Sequence, residues 1–188
     1  MPESPVAISI VVPVKDEAGN IGPLLREIAA AMEAAGEAAH EIVVVDDGSG
    51  DSTVAELLAL KPTLPALRVV KHARNLGQSR AVRTGVIASR APLVVTLDGD
   101  GQNDPADIPK LLAALRREPA PTMVAGERAK REDKWSKRAA SRLANGFRRW
   151  MLADGARDTG CGLKAFRREA FLALPYFDHM HRYLITLM

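Results

Sequence analysis

Two aspartates separated by one glycine, Asp98-Gly99-Asp100, close the apolar run Val94-Val95-Thr96-Leu97 and are followed by Gly101 and the amide of Gln102. Carboxylates spaced in this way can face one divalent cation together, and the glycine lets the backbone approach a bulky anionic group without a Cβ in the way. Two further acidic sites also follow apolar runs: Glu17 after Pro13-Val14, and Asp46-Asp47 after Val43-Val44-Val45. A cluster of carboxylates repels phosphate unless a metal inverts the local sign, and oxygen-only ligands favour Mg²⁺ or Mn²⁺ over zinc. The chemistry this permits is capture of a metal-bound diphosphate. An outer acid such as Asp46 or Glu17 is suited to accept hydrogen bonds from ribose hydroxyls or a base edge.

Acids so far apart in sequence can share a site only if the elements before them end along one rim. The pattern supplies such elements. Residues 8–14, 41–45, 67–70 and 93–97 are apolar runs of strand length. Between them lie helical periodicities: Ile21, Leu24, Leu25, Ile28, Met32 and Ala35 with Gly36 as the stop, then Val54, Leu57 and Leu58 behind a cap at Asp51 or Ser52, then residues 78–89. Strands alternating with helices of this length predict an α/β chain, a Rossmann-like and mostly parallel sheet with helices on both faces. In such a sheet the strand ends point the same way, so the three acidic sites collect on one edge. Beyond the acidic loop the spacing predicts a helix from Pro105 with Ile108, Leu111, Leu112 and Leu115 inward, strands over 122–126 and 162–166, and a short helix over 169–174. Lys164 and Arg167 are read as alternating toward solvent.

The 188 residues suit one domain, 1–188, with a sizeable core. The net charge of +3 hides a division: residues 1–100 carry −4 and residues 101–188 carry +7. Residues 128–149, with nine basic side chains against Glu132 and Asp133, match that whole excess. Trp135, Ala139, Leu143, Phe147 and Met151 recur there at steps of four, which predicts an amphipathic helix with a basic face. The 130–150 segment is therefore expected to make peripheral contact with an anionic membrane surface. Few aromatics and no recognition motif accompany the charge, so no nucleic-acid partner is expected.

A single cysteine, Cys161, excludes an intramolecular disulfide and a multi-cysteine metal site, and is read as a small packing residue. No signal peptide or membrane-spanning run is found, which places the expected location in the cytoplasm, at the cytoplasmic face of the membrane. His40, His72, His179 and His181 lack metal-ligand spacing and are read as surface or packed residues. Gly48-Ser49-Gly50-Asp51 does not follow the first strand, and there is no Walker A lysine, so NAD enzymes and P-loop NTPases drop out.

These residues resemble the family 2 glycosyltransferases of GT-A fold. The matching stretches are Val12-Pro13-Val14 with Glu17 and Asn20-Ile21, Val43-Val44-Val45-Asp46-Asp47-Gly48-Ser49, Asn75-Leu76-Gly77, and Leu97-Asp98-Gly99-Asp100-Gly101-Gln102. Asp158-Thr159-Gly160-Cys161-Gly162-Leu163-Lys164-Ala165-Phe166-Arg167 and His181-Arg182-Tyr183-Leu184 are similar, more narrowly, to the branch of dolichol-phosphate mannose synthases and undecaprenyl-phosphate sugar transferases. The resemblance implies a nucleotide and ribose pocket at Pro13, Val14, Glu17, Asp46 and Asp47. It implies contact of Asp98 with the sugar nucleotide, and Mg²⁺ or Mn²⁺ held by Asp100 and Gln102. Arg128 and Arg182 would bind donor or acceptor phosphates. Two departures stand out: Asp16 occupies the position of a usual asparagine, and the sequence stops at Met188, where relatives generally continue with another strand and often membrane helices.

The expected reaction is inverting transfer from GDP-mannose or a UDP-sugar to a polyprenyl (dolichyl or undecaprenyl) phosphate, with a membrane protein or a second copy as further expected partners. Two alternatives stay open. One is transfer to a glycan or protein hydroxyl, for which Asp158 would be the base. The other is a truncated nucleotide-sugar-binding domain without catalysis.

Overall fold

The computed structural model describes residues 6–117, 122–126 and 161–188. Arg128, Asp158, the 130–150 segment and the expected 135–151 helix lie outside the described residues.

Among the described residues six strands form one sheet: β1 (Ile8–Val14), β2 (His40–Asp46), β3 (Leu67–Lys71), β4 (Leu93–Thr96), β5 (Met123–Ala125) and β6 (Lys164–Arg167), in the order β3-β2-β1-β4-β6-β5. The pairs β2–β3, β1–β2 and β1–β4 are parallel, whereas β6 runs antiparallel to both β4 and β5. The chain leaves β1 toward β2 on one side and reaches β4 on the other. The gap between the carboxyl ends of β1 and β4 is thus the switch point at which open α/β sheets bind ligands.

The inner strands β1, β2, β4 and β6 are buried on both faces and sort their side chains by alternation. Ile8, Ile10, Val12, Val14, Ile42, Val44, Val95 and Leu97 meet Ile21, Leu25, Ile28 and Met32 of helix α1 (Ile21–Ala34), Leu57 of α2 (Thr53–Leu60), and Ile108, Leu112 and Leu115 of α4 (Ile108–Arg117). The opposite set, Val11, Val43, Val45, Val94 and Phe166, meets Ala81, Val82 and Val86 of α3 (Gln78–Ala88), then Phe171, Met180 and Leu184. Helices do cover both faces. A Cβ on Gly85 would collide with Val11 Cγ1, so this glycine sets how closely α3 lies on β1.

At the amino end of the sheet the buried Glu41 accepts from Ser9 Oγ (2.6 Å), Arg68 Nη1 (2.6 Å) and the Arg90 N–H (2.7 Å). Burial opposes its charge, but the bonds from Ser9, the Arg90 amide and Arg68 outweigh that and hold its carboxyl below the ordinary value.

Two expectations change. The strand expected over 162–166 is Lys164–Arg167. Because β6 is antiparallel, its first residue lies at the rim where β4 ends, Thr96 pairing with Lys164, and Lys164 is buried at 5% exposure and does not point to solvent. The third expected helix boundary holds to within a residue, but the segment after 174 adds a 3₁₀ turn, Met180–Arg182, and a short helix, Leu184–Leu187, that periodicity did not signal.

Candidate active site

The loop after β1 is fastened by the loop after β2. The Asp16 N–H donates to Ser49 Oγ (2.9 Å), Glu17 N–H to Thr53 Oγ1 (2.9 Å), Ala18 N–H to Asp51 Oδ2 (3.1 Å), and Gly19 N–H to both Glu56 carboxylate oxygens (3.0 Å). Asp16 carries φ 56° and returns a bond from its carboxylate, which accepts the Gly50 N–H at 2.8 Å. A left-handed backbone is one that Asp tolerates better than most residues. The aspartate at this position thus serves the loop-to-loop connection. The result is a fixed Glu17, whose carboxylate accepts from Asn20 Nδ2 at 3.0 Å.

Asp47 anchors the next loop. Its carboxylate accepts the N–H groups of Leu76 and Gly77, each at 2.8 Å, and His72 Nδ1–H at 2.7 Å, while His72 Nε2 lies 2.9 Å from Thr84 Oγ1. Gly48 completes the junction: with φ 75° and a would-be Cβ 2.6 Å from the Arg74 carbonyl carbon, no side chain fits. These bonds set the start of α3, where Gln78 Nε2 donates to Asp98 Oδ1 at 2.7 Å and Ser79 Oγ lies 2.6 Å from His181 Nδ1.

Two cavities open on this rim. The first, about 390 Å³, is lined by Pro13, Val14, Lys15, Glu17, Asp47, Asn75, Gln78, Asp98 and Asp100 among others. The second, about 340 Å³, is lined by Pro13, Gln78, Thr96, Asp98, Lys164, His181, Arg182 and Leu184 among others. Pro13, Gln78 and Asp98 belong to both. The first is mainly acidic and the second mainly basic, so Asp98 stands where the sign changes. Lys164 Nζ donates to the Cys161 carbonyl at the floor of the second cavity. Burial first, then the basic neighbours Arg182, Lys164 and His179, push His181 down to about 4, which leaves its ring uncharged at neutral pH.

The sequence-derived residues fare differently. Pro13, Val14, Glu17, Asp47, Asp98 and Asp100 come together in the first cavity and Arg182 in the second. Asp46 is fully buried, with its carboxylate facing the Ser49 N–H at 3.3 Å, and is not among the lining residues. Gln102 is exposed outside both cavities, its backbone N–H bonded to Asp100 Oδ1 at 3.1 Å. Gly99 packs against the protein itself, a Cβ there falling 2.6 Å from Val14 Cγ1. Gly162 has the same character, since a Cβ would overlap the Asp98 carboxylate. Gln78, Lys164 and His181 were not picked out as site residues; the one available signal was the position of Gln78 just after Asn75-Leu76-Gly77, at the start of a helix leaving a strand.

Among the described residues no three His, Cys, Asp or Glu side chains form a protein-only metal cage. Two carboxylates on one cavity wall nevertheless fit a Mg²⁺ or Mn²⁺ ion completed by substrate oxygens, which is how Mg²⁺ is usually held beside phosphates. Also among the described residues, no helix is long and apolar enough to cross a membrane.

The sequence profile of Glycosyl transferase family 2 matches residues 9–174, and the chain belongs to that family. Its fold is GT-A. It is 33% identical over 185 residues to the dodecaprenyl-phosphate galacturonate synthase of Rhizobium johnstonii, covering 97% of this chain and 54% of that protein. It is 41% identical over 171 residues to the undecaprenyl-phosphate 4-deoxy-4-formamido-L-arabinose transferase of Pseudomonas aeruginosa, covering 88% and 49%. The chain thus spans about half the length of these curated relatives, which bear out the resemblance to the polyprenyl-phosphate branch. In fold it is similar to the UDP complex of glucosyl-3-phosphoglycerate synthase from Mycobacterium tuberculosis (TM-score 0.72, 22% identity, 90% of this chain and 60% of that one). It is also similar to the mannosyltransferase PcManGT of Pyrobaculum calidifontis in complex with GDP-Man and Mn²⁺ (TM-score 0.67, 23% identity, 94% and 48%).

Proposed function

We propose that residues 1–188 form a catalytic domain that transfers a sugar, with inversion, from a nucleoside-diphosphate sugar (GDP-mannose or a UDP-sugar) to a polyprenyl phosphate. The observation that carries this reading is that Asp98 lines both an acidic and a basic cavity. A donor whose diphosphate travels with a cation suits the first, and an acceptor that is itself an anion suits the second. The names of the two curated relatives support a polyprenyl phosphate over other acceptors.

Asp100 and Asp98 would hold Mg²⁺ or Mn²⁺, with Gln102 beside them on the same turn. When bound, the ion supplies positive charge to the diphosphate. Glu17, on its fastened loop, would accept hydrogen bonds from donor hydroxyls, with Pro13 and Val14 as the apolar wall. A phosphate monoester has a second pKa near ~6, so the acceptor is largely dianionic at neutral pH and needs no general base. One acceptor oxygen attacks the anomeric carbon, the new C–O bond forms as the bond to the diphosphate breaks, and the electron pair leaves with the nucleoside diphosphate. No proton has to move. Lys164 and Arg182 offset the repulsion between the dianion and an anionic donor, which is electrostatic stabilisation without acid-base work. Membrane contact through the basic 130–150 segment, at the cytoplasmic face, would bring the acceptor within reach.

The test is incubation with Mn²⁺, a panel of labelled nucleotide sugars and a short polyprenyl phosphate, followed by extraction of lipid-soluble label. Transfer is expected with one donor and is abolished by Asp100→Ala. Label released only as free sugar, or transfer unaffected by Asp100→Ala, overturns the reading.

A further inference from the structure

Ser79 and His181 lie 102 positions apart and meet at the wall of the basic cavity. Ser79 is buried, and its Oγ accepts the His181 backbone N–H at 3.3 Å. Its hydroxyl hydrogen still needs an acceptor, and the one within reach among the described residues is His181 Nδ1 at 2.6 Å. A buried hydroxyl left without an acceptor is costly, so the O–H donates to Nδ1, and the ring carries its own proton on Nε2. Nε2 has no hydrogen-bond partner among the described residues, on a side chain that lines the cavity. The titratable groups around it are Arg182 and His179 from its own segment, Lys164 from β6, and Asp98 from the loop after β4. Three of the four are basic, so a proton on Nδ1 as well would be opposed, which suits the ring to donating a hydrogen bond and not to taking a proton.

We propose, resting on the acceptor reading above, that Ser79 fixes His181 as an Nε2–H donor to a phosphate oxygen of the acceptor. Lys164 and Arg182 supply charge, which acts at any orientation, whereas an N–H held from behind by Ser79 acts along one direction. His181 thereby selects the approach in which an acceptor oxygen faces Asp98 and the donor cavity.

The tautomer is read by long-range ¹H–¹⁵N correlation NMR of the uniformly labelled chain, with His181→Gln assigning the signals. The expected result is an Nε2–H ring that does not titrate between about pH 5 and 8, and an Nε2–H resonance that moves on addition of farnesyl phosphate and, more weakly, inorganic phosphate. Ser79→Ala should mix the tautomers and blunt that response. In turnover, His181→Ala should raise the acceptor KM by about tenfold or more, the scale of a lost hydrogen bond to a charged group. His181→Gln, whose amide can donate from nearly the same place, should restore most of it, and the donor KM should stay unchanged in both. An Nδ1–H ring, or an Nε2–H signal indifferent to both phosphates, overturns the proposal. Failure of the acceptor reading looks different: no lipid-linked sugar forms with any donor, while phosphate still shifts Nε2–H, a result that supports the donor assignment and removes the lipid.

Discussion

The side-chain amide of Gln78 donates to Asp98 Oδ1 across 2.7 Å, linking the first residue of α3 to the carboxylate shared by both cavities. A hydrogen bond to a charged group contributes about 1.5–3 kcal/mol, so Gln78→Ala should lower kcat/KM by roughly 10- to 100-fold through misplacement of Asp98. Gln78→Glu should do worse and differently. Two carboxylates at that separation do not both ionise readily, so Asp98 would hold its proton to higher pH and the acid limb of the pH–rate profile would move up. A Gln78→Glu profile that overlays the parent would sever the link between this bond and catalysis.

Gly162 tests the same carboxylate from the other side. A Cβ there overlaps Asp98, and the backbone is not in a conformation reserved for glycine, so Gly162→Ala should cost activity far more than stability. Gly22 in α1 is the control, its nearest neighbour to a new Cβ being 3.6 Å away. Gly22→Ala should leave activity unchanged and stabilise the chain by up to about 1 kcal/mol. Thermal unfolding alongside turnover separates the two outcomes.

Why Asp98 was legible and Gln78 was not follows from what sequence patterns encode. Apolar runs such as Val94-Val95 and the three- and four-residue spacing from Ile21 to Met32 report burial, and burial fixes strands, helices and the rim on which they end. Acid-Gly-acid at such an end reports its own chemistry. Gln78, Lys164 and His181 acquire a role only through contacts 20 to 102 residues away or through the antiparallel direction of β6, neither of which leaves a local period. Asp46 and Asp47 show the converse. They are adjacent and chemically equal, yet one is buried beneath its own turn and the other anchors Leu76 and Gly77.

The close approach of α3 to β1 carries a stability prediction. Gly85→Ala places a Cβ against Val11 and within 3.2 Å of Val45 Cγ2, and overpacking of this kind typically costs about 1–3 kcal/mol. The gain in helix propensity, about 1 kcal/mol, offsets only part of that. Urea unfolding should therefore show a lower midpoint with an unchanged slope. The double variant Gly85→Ala, Val11→Ala should cost less than the sum of the two single costs, because removing the Val11 methyls relieves the contact that the new Cβ makes.

Stability should also depend on pH through two groups with the same sign. His181 is held at about 4 against an ordinary 6.5, so between those values the unfolded chain binds a proton that the folded chain does not. Glu41 is held below its ordinary 4.5, so its contribution is intact above that value and is lost as pH falls through the folded value. Unfolding free energy should accordingly decline on acidification in two stages, the first beginning near neutrality and the second below pH 4.5. His181→Gln should flatten the first stage and leave the second, while Glu41→Gln should do the reverse at some cost in stability at neutral pH. A single decline that neither substitution alters would show that other carboxylates govern the acid limb.

The loop that carries Glu17 gives the last prediction. Its N–H groups are bound by side chains from the segment after β2, with Thr53 Oγ1 holding Glu17 itself and Glu56 holding Gly19. Thr53 is fully buried and takes a second role, donating its hydroxyl to Asp51 Oδ1 at 2.5 Å. Thr53→Val keeps the shape and removes both bonds, leaving the Glu17 N–H without its acceptor. Glu56→Ala leaves the Glu17 N–H bound and removes only the outer bonds, from the Gly19 N–H and from Ser52 Oγ. If Glu17 meets the donor before chemistry, both substitutions raise the donor KM with little change in kcat, Thr53→Val by about tenfold and Glu56→Ala by less. A fall in kcat at unchanged donor KM would instead place the Glu17 loop in the transition state, and the acidic cavity would have to be read as a reacting surface and not as a binding one.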